Sequence, residues 1–247
     1  MAFQSHSTWR TSGRGNGFAT TRRSTIQSDG RCTASQPQCY RQASDRSSGI
    51  LGYGAIGRQT ARVATALGMV VHAYTLHSRP TPESRRDDTY TPPGLGDPEG
   101  KFPSKWFSGG SKDDLHAFLG SGLDLLVLST PLTDKTRGLI SNPEFEVLAE
   151  RKTFVTNISR GAVVNTDDLI DALNSETIQG AAVDVTDPEP LPEGHPLWKA
   201  KNIIITPHIS GISTAYVKRV FAILEYNLGR LSRGKPLTNR VNRREGY

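Results

Sequence analysis

The chain has 247 residues, 35% of them apolar, with a mean hydropathy of −0.45, and no apolar run approaches the ~20 residues a membrane-spanning helix needs. Its net charge of +6 sits at the head: residues 1–48 carry seven arginines against Asp29 and Asp45, whereas the other 199 residues hold 23 basic and 22 acidic side chains, which argues against a general nucleic-acid footprint on the body. Both cysteines, Cys32 and Cys39, also lie in the first fifth of the chain, so the rest can build neither a disulfide framework nor a cysteine metal site, and a reducing, cytoplasmic setting is expected.

Residues 1–48 are rich in Ser, Thr, Arg and Gln, and Ile26 is their only large aliphatic side chain. Such a segment cannot bury enough apolar surface to offset its chain entropy, so a disordered or irregular tail is expected. An Arg- and Ser-rich, acid-poor head also fits an organelle transit peptide, while no short apolar core follows Met1 to suggest a secretory signal. A nucleic-acid arm would need stacking aromatics, and only Phe3, Trp9, Phe18 and Tyr40 are present. Zinc ligation by Cys32, Cys39 and His6 lacks the required spacing, so no metal is expected.

Gly49–Tyr74 reads as strand, glycine turn, helix and second strand. Gly52, Gly54 and Gly57 stand at the G-x-G-x-x-G spacing of a dinucleotide-binding turn. The first glycine permits a tight turn, the second lets backbone approach a pyrophosphate, and the third lets helix and strand pack closely. Alone the pattern is weak, but here an apolar strand precedes it. A helix with Ile56, Ala64 and Leu67 on one face follows, Gly68 ends that helix, and Met69–Tyr74 supplies a strand.

Residues 75–112 read as a long loop marked by Pro80, Pro82, Pro92, Pro93, Pro98 and Pro103. A short helix is expected over Asp113–Leu119 and a strand buried on both faces over Leu123–Ser129. Short helical pieces follow in 133–149, then a strand over Thr153–Ile158, a helix over Asp167–Leu173, and strands over Gly180–Val185 and Ile203–Ile205. A helix of about twenty residues runs from roughly Ser213 to Ser232. Strands alternating with helices predict an α/β fold with a doubly wound parallel sheet of the Rossmann type.

Arg160, the acidic run Asp184–Glu189 and His208 all fall just past the carboxyl ends of strands, the edge at which open α/β sheets bind ligands. His208 suits acid/base work because imidazole titrates near neutrality, although a histidine there could equally be a cap or a surface residue. Glu189 could pair with it, since a carboxylate beside an imidazole favours the charged form; alone it is a solvated acid in a Pro-rich loop. Arg160 offers a planar fork for a carboxylate, or is an exposed loop arginine. A nicotinamide on the rim, a proton donor and a carboxylate anchor together define hydride transfer to a 2-keto acid.

Gly49–Tyr74, Leu125–Ile140, Asn157–Leu173, Gly180–Pro192 and Asn202–Gly211, with the closing Arg233–Leu237, resemble the nucleotide-binding domain of the D-2-hydroxyacid dehydrogenases. That family includes glyoxylate/hydroxypyruvate reductases and phosphoglycerate dehydrogenases. The resemblance implies that Arg160 binds the substrate carboxylate and carbonyl, that Glu189 holds His208, and that His208 exchanges the proton. It assigns Asp184 to the nicotinamide carboxamide and ribose, and Thr130, Pro131, Ile158 and Ser159 to the cofactor cleft. With Gly52, Gly54, Ala55, Ile56, Gly57, Thr75, Arg79 and Gly211 these complete the expected cofactor set, for NAD or NADP. It further implies a homodimer built through this domain and a small 2-keto or 2-hydroxy acid as substrate.

Two departures from the family pattern stand out. NAD-selective members carry an acid at the end of the second strand, to accept from the ribose 2′-hydroxyl. Here Thr75 follows Tyr74, and His77, Ser78, Arg79, Arg85 and Arg86 come soon after, which would tolerate a 2′-phosphate. Family members also place about a hundred residues of a second α/β domain before the glycine turn, and residues 1–48 do not resemble it. The expected organisation is therefore a basic tail (1–48), a dinucleotide-binding domain (49–212) and a C-terminal helix and tail (213–247) left from the substrate domain, in a fragment, a divergent gene product or a chain with a wrongly assigned start. Hydride transfer is the first functional expectation. A nucleotide-binding module without turnover, acting as a scaffold, is the alternative.

Overall fold

A central strand, β1 (Ser47–Leu51), organises the sheet, because both of its neighbours pair with it along nearly its whole length. The structure is a computed structural model that describes residues 43–241; the disorder, transit-peptide and nucleic-acid readings of the head fall on residues outside those described. β1 starts two residues before the expected Gly49. Ser47 can enter a central strand because its polar groups are met: its amide donates to Asp124 Oδ2 at 2.9 Å and its hydroxyl to the Gly122 carbonyl, whereas the buried Ser48 hydroxyl has no hydrogen-bond partner.

The other strands are β2 (Val70–Thr75), β3 (Pro103–Ser108), β4 (Leu125–Leu128), β5 (Phe154–Asn157), β6 (Gly180–Val183) and β7 (Ile203–Ile205). They form one seven-stranded sheet in the order β3-β2-β1-β4-β5-β6-β7, with every pairing parallel. This is the expected Rossmann-type sheet. The order reverses between β1 and β4, so the crevice beyond their carboxyl ends is the topological switch point where such folds take ligands.

The reading of 75–112 as one long loop is corrected. It contains a four-residue helix, α2 (Pro82–Arg85), and the edge strand β3. Pro103 opens β3, a position where a missing N–H costs no ladder bond, and the strand is polar because one side of it meets no partner. Proline density marked the connection but concealed the strand.

Helix α1 (Ala55–Ala66) corrects a second expectation: Ile56 and Leu67 are 59% and 62% exposed, and the face that meets the sheet is Gly57, Arg58, Ala61 and Ala64. Small side chains at helical spacing let α1 lie close on β1 and β2, against Ile50, Val71 and Ala73. Gly68, at φ +84°, then ends the helix with its amide bonded to the Thr65 carbonyl at 2.9 Å. On the opposite face α3 (Lys112–Leu119), α4 (Asn142–Ala149) and α5 (Thr166–Asn174) pack Leu115, Phe118, Phe145, Leu148, Leu169 and Leu173 into the larger core cluster. The last helix, α6 (Tyr216–Leu231), buries none of its residues. No helix among the described residues is long and apolar enough to cross a membrane.

α3 and α4 are joined by a buried carboxylate. Glu144 is fully buried and accepts from Lys112 Nζ at 2.7 Å, His116 Nε2 at 2.9 Å and Ser141 Oγ at 2.7 Å. Burial alone would push its pKa up; the hydrogen bonds from Lys112, His116 and Ser141 outweigh it and bring the group down to about 2. A carboxylate depressed in the fold stabilises it above the unfolded value and loses that contribution as pH falls through the folded one. The contribution is on the order of 2 kcal/mol, discounted for the exposed Lys112. In denaturant titrations the stability gap between the native chain and Glu144→Gln should therefore be widest near neutrality and close between pH 4.5 and about 2. A gap independent of pH would show that Glu144 acts by packing alone.

Candidate functional site

The glycine turn stands where its neighbours leave room for nothing else. A Cβ on Gly52, whose φ is +96°, would come within 2.9 Å of the Ser129 backbone, and one on Gly57 within 2.3 Å of the Gly52 carbonyl oxygen. Gly54 is the opposite case: a Cβ there would meet nothing within 4 Å, and no side chain caps the α1 N-terminus that it begins. That open backbone, with free N–H groups and the positive end of the helix dipole, fits a pyrophosphate. Ala55 and Ile56 follow on the exposed first turn.

Across the switch point, Ser129 Oγ donates to the Gly52 carbonyl at 2.8 Å and ties the turn to the end of β4. Thr130 has a buried hydroxyl without a hydrogen-bond partner, and exposed Pro131 follows it. A buried orphan hydroxyl on this crevice is a group that a bound dinucleotide would satisfy. Ile158 packs with the α1-side core cluster.

At the end of β5, Asn157 shapes the loop that follows. Its Oδ1 accepts from the Ser159 amide at 3.0 Å and from Ser159 Oγ at 2.8 Å, and its Nδ2 donates to the Arg160 carbonyl at 3.0 Å. Buried Ser159 is thus fixed by Asn157, while the Arg160 side chain stands exposed with Nη1 donating to the Ser159 carbonyl at 2.7 Å. Sequence reasoning missed Asn157; its signal was the Asx turn that an Asn two residues before a Ser can close.

Asp184, just past β6, is 5% exposed, and its carboxylate is committed within the chain. Oδ1 accepts from Thr206 Oγ1 at 2.6 Å and the Ile209 amide at 2.9 Å, and Oδ2 from the Ser210 amide at 2.9 Å. Burial acts to raise its pKa, but the bonds from Ser210, Thr206 and Ile209 prevail and hold it well below the usual carboxylate range. The Asp184 carbonyl also accepts the His208 amide at 2.8 Å. Asp184 thereby clamps the 206–211 segment, including Gly211, which has open space around its Cα.

His208 sits in that clamp at φ +53°, a left-handed conformation uncommon for a side-chain-bearing residue. Its Nδ1 lies 2.8 Å from Glu189 Oε1, both groups being partly exposed. An Nδ1–H held by a carboxylate leaves Nε2 to face a ligand.

At the end of β2, Thr75 Oγ1 donates to the His77 carbonyl at 2.7 Å, and Arg79 Nη1 donates to the Ser84 carbonyl. Three residues that the sequence did not single out lie behind them. Arg58 is 3% exposed on α1, its guanidinium lies 5.1 Å from the Tyr53 ring centroid, and Tyr53 Oη donates to Asp97 Oδ2 at 2.8 Å. Nothing in the composition of an outward-looking arginine at this position signals burial; only the fold does.

A switch-point crevice that joins a glycine turn, an open helix N-terminus and a histidine–carboxylate pair defines a nicotinamide-dinucleotide dehydrogenase domain. Residues 18–93 and 102–210 match the family described as D-isomer specific 2-hydroxyacid dehydrogenase, NAD binding domain. The chain belongs to that family. It is 35% identical over 197 residues to a hydroxypyruvate reductase of Blautia hydrogenotrophica, covering 79% of this chain and 52% of that protein. It is 33% identical over 217 residues to glyoxylate/hydroxypyruvate reductase A of an Enterobacter species, covering 86% of this chain and 60% of that protein. The chain thus spans between half and three-fifths of the length of these curated relatives. Among solved structures, a D-isomer specific 2-hydroxyacid dehydrogenase of Xanthobacter autotrophicus in complex with NADPH and MES superposes with a TM-score of 0.66 at 31% identity, covering 89% of this chain and 78% of that one. A glyoxylate/hydroxypyruvate reductase of Sinorhizobium meliloti with NADP and sulfate gives 0.67 at 26% identity, covering 86% and 60%.

If Asp184 is the clamp, Asp184→Asn should free the 206–211 segment, because an amide cannot accept at both oxygens. Hydrogen exchange at the Ile209 and Ser210 amides should speed up roughly ten- to hundredfold, the equivalent of about 1.5–3 kcal/mol for an orphaned donor. In the native chain this protection should persist through the ordinary carboxylate range and fail only in stronger acid, since the folded carboxyl is depressed. Unchanged exchange in the variant would remove Asp184 from that role.

Proposed function

We propose that this chain is an oxidoreductase that interconverts small 2-keto and 2-hydroxy acids of the glyoxylate/hydroxypyruvate type. The observation that carries this reading is the 2.8 Å pair of His208 and Glu189 on the rim that also bears Arg160 and the glycine turn. When bound, a nicotinamide dinucleotide supplies or accepts the hydride. The chain's own residues do the rest. Arg160 takes the substrate carboxylate with its exposed fork and orients the carbonyl. Glu189 holds Nδ1–H of His208 and stabilises the imidazolium, so Nε2 delivers its proton to the carbonyl oxygen in reduction and receives it back in oxidation. Asp184 acts behind His208 as a positioning residue. The names of the Blautia and Enterobacter relatives support the substrate class.

For the cofactor we favour NADP. Thr75 stands where a carboxylate would accept from a ribose 2′-hydroxyl, Arg79 lies close by in sequence, and the Xanthobacter and Sinorhizobium structures hold NADPH and NADP. A homodimer assembled through this domain, as the family resemblance suggests, completes the proposal.

The test is oxidation of NADPH and NADH with glyoxylate and hydroxypyruvate, followed at the nicotinamide absorbance. Turnover is expected, with NADPH favoured about tenfold or more in kcat/KM. His208→Ala should lower kcat by roughly 10²–10⁴-fold. Arg160→Ala should act mainly on KM, by about 10–100-fold, the loss of a charge-assisted pair. Cofactor binding without turnover on any 2-keto acid would overturn the enzymatic reading in favour of a nucleotide-binding scaffold.

A further inference from the structure

The connection between β2 and β3 is fastened to the glycine turn by arginines bonded to backbone carbonyls. Arg58 follows Gly57 directly, and its Nη2 donates to the Arg85 carbonyl at 2.8 Å while its Nη1 donates to the Asp97 carbonyl. Arg85 in turn donates from Nε to the Arg79 carbonyl at 3.0 Å and from Nη2 to the Pro80 carbonyl at 3.2 Å, with its guanidinium 5.6 Å from the Trp106 ring centroid. Arg79 returns the contact by donating to the Ser84 carbonyl. A relay therefore runs from the buried α1 arginine, through Arg85, to the backbone that carries Arg79.

The charges along this relay are unequal. Arg58 has Asp87 at 3.6 Å, and Arg86 has Glu99 at 3.1 Å. Arg79 and Arg85 pair with no carboxylate among the described residues, and the buried Arg79 Nε has no hydrogen-bond partner. Arg79, held in the same connection as Arg85 and paired with no carboxylate, thus offers a guanidinium for an anion. The outer anchor, Asp97, lies in 94–101, the stretch between the two segments that match the family. Asp97 itself is tied down by the Lys101 and Phe102 amides at 2.9 and 3.1 Å as well as by Tyr53.

We infer that Arg85 is a positioning residue for cofactor selectivity, anchored by Arg58, which holds the Arg79 backbone so that the Arg79 guanidinium meets the ribose 2′-phosphate. The inference rests on the NADP reading above and adds the residues that set its discrimination. A flexible arginine gains little from a phosphate because ordering the side chain and loop offsets the contact; a strap ordered in advance avoids that cost.

The measurement is calorimetric binding of adenosine 2′,5′-bisphosphate and of 5′-AMP to the full chain, whose affinity ratio isolates the 2′-phosphate without any turnover. The native chain should prefer the bisphosphate, and Arg79→Ala should abolish the preference. Arg85→Ala should cut the ratio about tenfold, chiefly through the bisphosphate, with 5′-AMP affinity affected far less. Arg85→Lys, which keeps the charge but cannot reach two carbonyls with a planar fork, should fail to restore the ratio. If Arg79→Ala abolishes the preference while Arg85→Ala leaves it intact, or if Arg85→Lys restores it fully, the positioning role is overturned and the NADP reading stands. An equal loss of both ligands in Arg85→Ala also overturns it. If the native chain shows no preference, or Arg79→Ala leaves one unchanged, the NADP reading itself fails.

Discussion

The structure depends on two backbone approaches that only glycine permits. The Gly57 Cα lies so close to the Gly52 carbonyl, and Gly52 so close to the Ser129 backbone, that a methyl group at either position would overlap its neighbour. The first contact sets α1 down on β1, and the second brings the ends of β1 and β4 together at the point where strand order reverses. With both in place, the α1 N-terminus opens onto the crevice with free N–H groups, and each later loop on the rim has a fixed edge from which to be measured. The small faces of Ala61 and Ala64 extend the same close packing along the helix.

The rim residues are held by backbone as well as by one another. Asp184 collects the Ile209 and Ser210 amides and the Thr206 hydroxyl, and Asn157 collects the Ser159 amide and the Arg160 carbonyl. Short polar side chains immediately after a strand can reach the next loop's unpaired N–H groups, so they satisfy a buried segment and shape it in one step. His208 adopts a left-handed conformation inside the Asp184 clamp, a local cost that the surrounding bonds sustain. The pair with Glu189 is thus built on a rigid base although both of its members meet solvent.

Much of this was legible in the sequence, for particular reasons. Apolar runs bounded by glycine or proline located β1, β2 and β4 to β7, because a parallel sheet buried on both faces writes itself as continuous hydrophobicity. Edge strand β3 was not legible: Pro103, Ser104 and Lys105 look like loop when one side of the strand needs no partner. Of the expected α1 face only Ala64 is buried; Ile56 and Leu67 point out, because close helix–strand contact selects the smallest side chains, Gly57, Ala61 and Ala64. Glu189 and His208 are neighbours only because β6 and β7 end side by side, a fact of topology that spacing alone does not carry. Asp184 stood in the right place with its carboxylate turned toward the 206–211 backbone, which no motif specifies.

The charge distribution shows how far a sum can mislead. Outside residues 1–48 the chain carries 23 basic and 22 acidic side chains, so the body is nearly neutral and its composition points to no anionic ligand. Yet three arginines converge within a single connection. One reaches it from α1, where it is buried, and the other two donate to carbonyls rather than carboxylates. Carbonyls hold a guanidinium in place without cancelling its charge, whereas a carboxylate does both. Which of these partners the fold supplies decides whether an arginine is a structural tie or a positive seat. In this strap Arg58, with Asp87 near it, and Arg85, bonded to the Arg79 and Pro80 carbonyls, are the ties, while Arg79 keeps its charge for an anion.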